Sequence, residues 1–147
     1  DLPDVDLSVS PWLWADGSID EILASHVLEH FERITGESFL IQCHRVLAPG
    51  GKLRIAVPDM DKFIDCRLNG DFSPLDGYRW TDLSYFMGGD GTELLEQNCH
   101  RYMYCFASLA WVLQGIGFEK IEYRDKPAAF DNLKYAPISL YVDAVKA

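Results

Sequence analysis

No C-x-x-C pair, no long hydrophobic run and no excess of basic residues occur in this 147-residue chain, and each absence closes a class of function. The four cysteines (Cys43, Cys66, Cys99 and Cys105) are too sparse for the disulfide framework of a small secreted scaffold. Cys43 and Cys66 fall at apolar positions of helical patterns, where a free thiol behaves as a small hydrophobe. Reduced, buried thiols point to a reducing compartment, so a cytoplasmic location is expected. The longest uninterrupted apolar run, from Tyr102 to Ala107, is six residues, against the roughly 20 that a membrane-spanning helix needs. The opening DLPDVDLSVS has neither a basic nor an apolar signal region, and the first residue is Asp rather than Met, which reads as a fragment or a processed chain. Thirteen Lys and Arg face 23 Asp and Glu, a net charge of −10. A field of that sign repels phosphate backbones and anionic lipid heads, so nucleic acid and membrane are not expected partners.

What is present is the composition of one globular domain. Apolar residues make up 48% and aromatics 13%, enough to build a single core across residues 1–147. A short strand is predicted near residues 5–9, followed by an aromatic loop with an Asp16-Gly17 turn. Residues 19–25 (IDEILAS) read as a strand. Phe39, Leu40, Cys43, Val46 and Leu47 recur at spacings of three and four, which predicts a helix over residues 37–48 ended by Pro49-Gly50-Gly51. Residues 52–58 (KLRIAVP) form the next strand. Asp59 is a good N-cap for a helix over residues 60–69, closed by Gly70. Residues 71–98 are irregular and read as an insertion, with a short helix near residues 92–97. A further helix is predicted over residues 101–114, with Trp111 partly buried, then strands over 118–124 and 138–146. Strands alternating with helices and ending in two consecutive strands predict an α/β sheet with an antiparallel last strand.

One stretch carries a family resemblance. The segment ADGSIDEILASHVLEHF, a helix, and then CHRVLAPGGKLRIAVPD resembles the middle of class I S-adenosylmethionine-dependent methyltransferases. An acidic turn enters that family's fourth strand, an H-V-L-E-H-like loop follows it, and a helix ending in R-V-L-x-P-G-G leads into the fifth. The later H-R-Y-M-Y and G-F-E segments resemble the family's next helix and strand. The resemblance implies a Rossmann-like sheet with helices on both faces. It implies S-adenosylmethionine as cofactor, a small-molecule acceptor, and a pocket outside the carboxyl ends of the strands. Carried residue by residue, it places Ser25, His26 and Val27 on that pocket. It places Asp6 and Leu7 at the adenine edge, the carboxylate as acceptor and the leucine against the ring. No catalytic residue is assigned, because methyl transfer runs largely on proximity and orientation.

The family's first two strands, with their glycine-rich loop and ribose-binding acid, have no counterpart here. The expected reading is a methyltransferase whose activity as this chain is left open, with a non-catalytic, dimeric remnant of the fold as the alternative. Without a neighbouring first strand, the segment from Glu21 to Ser25 would expose an unpaired edge, and a homodimer across it is expected. Trp12 and Trp14 are expected to flank the cofactor loop or that contact. A distant alternative reads His26, Glu29 and His30 as the H-x-x-E-H of a zinc hydrolase, which needs the motif inside a helix. No metal is expected. His44 is expected to be structural, and His100 to lie near the substrate side. No G-x-S-x-G is present to anchor a serine hydrolase.

Overall fold

The computed structural model describes residues 6–75, 99–129, 131 and 133–147. Among these residues four strands form one sheet, β1 (Ile19–Ser25), β2 (Leu47–Pro58), β3 (Phe118–Arg124) and β4 (Ser139–Lys146), in the order β1-β2-β4-β3. β1 and β2 run parallel, while β4 is antiparallel to both of its neighbours. The last strand thus inserts between β2 and β3, as two terminal strands without an intervening helix require. The predicted strand over residues 19–25 coincides with β1, and residues 118–124 with β3.

Among the described residues three helices accompany the sheet: α1 (Arg33–Val46), α2 (Met60–Asn69) and α3 (Phe106–Ile116). Side chains of β2 alternate across the sheet. Leu53, Ile55 and Val57 join Leu140, Val142 and Ala144 of β4 on one face. Phe39, Leu40, Cys43 and Val46 of α1 and Leu109 and Leu113 of α3 close that face into the main core. Each fully buried Leu or Val contributes about 1.5–3 kcal/mol relative to an exposed one. The opposite face carries a row of ion pairs across all four strands. Arg54 meets Glu21 at 2.8 Å and Asp143 at 2.7 Å, and Arg124 meets Asp143 at 2.9 Å and Asp131 at 2.8 Å. A second, smaller core of Phe63, Cys66, Leu75 and Ile138 seats α2. Asp59 caps that helix by accepting from the Asp61 N–H at 3.0 Å, and Gly70 ends it at φ 66°.

Four expectations differ from what the chain does. Over residues 6–9, the described part of the strand expected near residues 5–9, no strand forms, because the Asp6 carboxylate accepts from both the N–H and the hydroxyl of Ser8 and closes a turn instead. α1 stops at Val46, ahead of Pro49-Gly50-Gly51, which lies inside β2 as a bulge. Pro49 disfavours helical backbone at the residue before it. Ile19 pairs with Leu47 and Glu21 with Lys52, so two steps along β1 answer five along β2. α3 begins at Phe106 rather than residue 101, because the preceding backbone is spent on tertiary bonds. The Arg101 and Tyr102 N–H groups both donate to the Glu29 carbonyl, and the Tyr104 carbonyl accepts from Met60 N–H. Trp111, two positions from the buried Leu109 and Leu113, faces away from the core and is 75% exposed.

The aromatic loop also sits elsewhere than expected. Trp12 belongs to the main core and meets Phe39 and Trp14 edge-on. Arg45, in the last turn of α1, holds the loop by donating to the Trp12 and Trp14 carbonyls, each at 3.0 Å, and by pairing with Asp16. The carbonyl groups at the end of α1 accept from Gly17 N–H and Lys146 Nζ, so the helix end is satisfied from two distant segments. The predicted helix over residues 92–97 lies outside the described residues.

Candidate functional site

The carboxyl ends of the two parallel strands meet the start of β4 at one edge of the sheet. β1 ends at Ser25, and His26 takes φ 53°, a left-handed turn that carries the chain out of the sheet while its N–H still donates to the Ala56 carbonyl at 2.8 Å. A single 3-10 turn, Leu28–His30, follows. β2 ends at Pro58, and Asp59 leads into α2. Ser139 opens β4 beside them, since antiparallel β4 begins where β2 ends.

The His26 ring is clamped from both sides. Nδ1 lies 3.0 Å from Glu29 Oε1 and Nε2 lies 2.9 Å from Ser139 Oγ, whose hydroxyl also reaches the Tyr135 carbonyl at 2.7 Å. The Tyr135 ring tilts against the imidazole at 4.6 Å. A carboxylate only accepts, so Nδ1 carries the proton toward Glu29. What His26 has to offer a bound molecule is therefore backbone rather than ring. Ser25 and Val27 are half-buried beside it.

Asp6 stands fully exposed, and its hydrogen bonds from Ser8 hold its carboxyl below the ordinary value. Leu7 packs against the main core, and its carbonyl accepts from the Trp12 indole at 3.3 Å. An exposed acid beside a half-buried apolar side chain suits the edge and face of a purine.

Sequence reasoning missed three members of this edge. Asp59 is buried, and desolvation pushes its carboxyl above the ordinary value against the pull of the Lys62 ammonium. Burial in turn lowers the Lys62 pKa, and Lys62 Nζ donates to the Ser139 carbonyl at 2.6 Å. Glu29 is 1% exposed, which its place in a polar H-V-L-E-H string does not announce. The one available signal was Asp59 itself, an acid directly behind an apolar strand end, which reads equally as a helix cap. Burial pushes the Tyr104 phenol far above its usual range, so it stays protonated.

The H-x-x-E-H spacing does not act as a zinc-hydrolase set. The motif straddles a strand end and a three-residue turn rather than one helix, and both His26 nitrogens are engaged. His30 instead turns to His100, ring centroids 5.1 Å apart. His44 packs edge-on against Phe118 at 4.9 Å, and desolvation lowers its pKa.

Known proteins fit this geometry. The family described as a methyltransferase domain matches residues 6–55, the segment from the Asp6 turn through β1 and α1 into β2. No curated protein sequence matches the chain. Among solved structures, human N-acetylserotonin methyltransferase, in complex with S-adenosylmethionine, superimposes at a TM-score of 0.61 and 15% identity, over 100% of this chain and 34% of that one. The CurJ carbon methyltransferase superimposes at 0.60 and 18% identity, over 97% of this chain and 34% of that one. A SAM-dependent methyltransferase from Archaeoglobus fulgidus gives 0.55 and 14%, over 90% and 62%. The chain thus spans less than two thirds of each of these structures. Among the described residues no helix is long and apolar enough to cross a membrane. With its β1-β2-β4-β3 sheet and antiparallel last strand, the chain has the fold of these methyltransferases, and its residues 6–55 are similar to the methyltransferase domain.

Proposed function

We propose that this chain is part of an S-adenosylmethionine-dependent methyltransferase acting on a small-molecule acceptor. The observation that carries the reading is the convergence of residues 25–30, inside the segment similar to the methyltransferase domain, with Asp59 just beyond it, at the carboxyl edge of the parallel strands. That edge is where doubly wound sheets bind nucleotides. Bound there, the cofactor would supply an electrophilic methyl group on a sulfonium. On this reading Asp6 accepts from the adenine amine, Leu7 covers the ring, and the backbone of residues 25–27 lines the pocket. The clamp of Glu29 and Ser139 on His26 keeps that backbone in its left-handed turn, which is orientation supplied before binding. The acidic surface favours a neutral or cationic acceptor over a polyanion.

A second reading, a fold that has kept its architecture without the cofactor, draws on two observations. The Asp6 carboxylate already serves its own turn, and the His26 ring is fully engaged. Isothermal titration with S-adenosylhomocysteine separates the two. Saturable heat at micromolar affinity supports the methyltransferase, and loss of that heat in Asp6→Ala supports the adenine contact. No heat near millimolar concentration overturns the reading in favour of the remnant.

Among the described residues β1 pairs with β2 alone, and Leu23 on it is 44% exposed. We propose that a second copy covers this edge from Glu21 to Ser25. Sedimentation at micromolar concentration should show a dimer, and a monodisperse monomer would refute it.

A further inference from the structure

We propose that Glu29, His30 and His100 form a binding site for one divalent transition-metal ion, zinc by the character of its donors. Each of the three offers one ligand atom, and these atoms all lie within 4.8 Å of one another. A tetrahedral zinc ion with bonds of 2.0–2.2 Å holds its ligand atoms about 3.4 Å apart. Small rotations of the partly exposed imidazoles close that gap.

A second, independent observation points to a ligand. Glu29 is 1% exposed, yet among the described residues its Oε2 atom has no hydrogen-bond partner. A buried carboxylate oxygen left bare is costly, and such an atom calls for a partner. Oε1 is already held by His26 Nδ1 at 3.0 Å, so Oε2 is the atom left to coordinate.

The surroundings are arranged as a metal's outer shell would be. His30 Nδ1 lies 3.3 Å from the Cys99 carbonyl, an orientation in which Nδ1–H donates and Nε2 keeps its lone pair. That Nε2 atom lies 3.9 Å from Glu29 Oε1. The segment bearing His100 is tied to the same residue, since Arg101 and Tyr102 N–H groups donate to the Glu29 carbonyl at 2.7 and 3.2 Å. Two histidines and one glutamate leave a tetrahedral ion with one open position, and the 31% exposure of His30 puts that position toward solvent. His26 is a positioning residue here: it holds Glu29 and touches no metal.

The test uses the purified chain after chelator treatment, titrated with Zn2+ against a chromophoric chelator and with Co2+ by visible absorption, with no cofactor added. One ion per chain is expected, with a cobalt spectrum of nitrogen and oxygen ligation that lacks thiolate charge transfer. His100→Ala and His30→Ala should each weaken binding at least tenfold. His26→Asn should weaken it about tenfold to a hundredfold while keeping the cobalt spectrum. Cys99→Ser should change nothing. Glu29→Gln is the sharper variant, and if burial prevents its folding, the surface-reachable His100→Ala carries the test. Absence of stoichiometric zinc, equal affinity in His100→Ala, or loss of binding in Cys99→Ser would overturn the site.

Discussion

Gly50 and Gly51 are adjacent glycines needed for different reasons, and replacing each by alanine separates them. Gly50 adopts φ 78° with nothing within 4 Å of where a Cβ would stand. Alanine there meets only the left-handed backbone cost of about 1–2 kcal/mol. Loss of glycine's freedom in the unfolded chain returns about 0.4–1 kcal/mol, so Gly50→Ala should cost about 1 kcal/mol. At Gly51 the new Cβ would lie 2.8 Å from the Ala48 carbonyl oxygen and 3.1 Å from that of Asp20. Both are backbone atoms, one in the bulge and one in β1, so no rotamer change relieves the clash. Overpacking typically costs about 1–3 kcal/mol, and here the upper end applies because relief requires β1 and β2 to separate. Gly51→Ala should therefore cost about 3 kcal/mol. Urea unfolding followed by tryptophan fluorescence measures both, with the slope unchanged if the unfolded state is unaltered. A Gly50→Ala loss equal to or larger than that of Gly51→Ala would refute the bulge geometry.

Two further outcomes follow from buried groups. The Asp59 carboxyl should titrate above the ordinary carboxylate value by 13C NMR, and Lys62→Met should raise it further, because the ammonium is a charge that lowers it. Its folded value stands above its unfolded one, so its contribution to stability is full below the unfolded value and is lost as pH rises through the folded one; a midpoint at or below the ordinary value would contradict the burial. Cys43 is 0% exposed, and desolvation drives its thiol far upward. An aromatic disulfide reagent should label the half-buried Cys99 and Cys105 in the native protein and reach Cys43 only on unfolding.

Tyr104 and Met60 show why parts of the fold resisted a local reading. The pattern Met103, Phe106, Leu109, Leu113 looks helical from its start, and its second half is. Its first half is extended because Arg101, Tyr102 and Tyr104 bond to Glu29 and Met60, dozens of residues away. The bulge at Ala48 has the same character: Pro49 and the glycines announce a break, but only pairing with β1 decides that the break lies within a strand.

What the sequence by itself determined are the features with local causes. β1 and β3 follow from short apolar strand patterns, α2 from Asp59 and Gly70 at its ends, and the antiparallel last strand from two strands without a crossover between them. The family resemblance likewise rests on one continuous stretch. Tertiary structure alone decided the site. It buried Glu29, engaged Nε2 of His26 through Ser139, 113 positions away, and set His30 against His100. Periodicity reports which face of an element is apolar; it carries no information about which distant loop that element will meet, and at this edge the loops supply the chemistry.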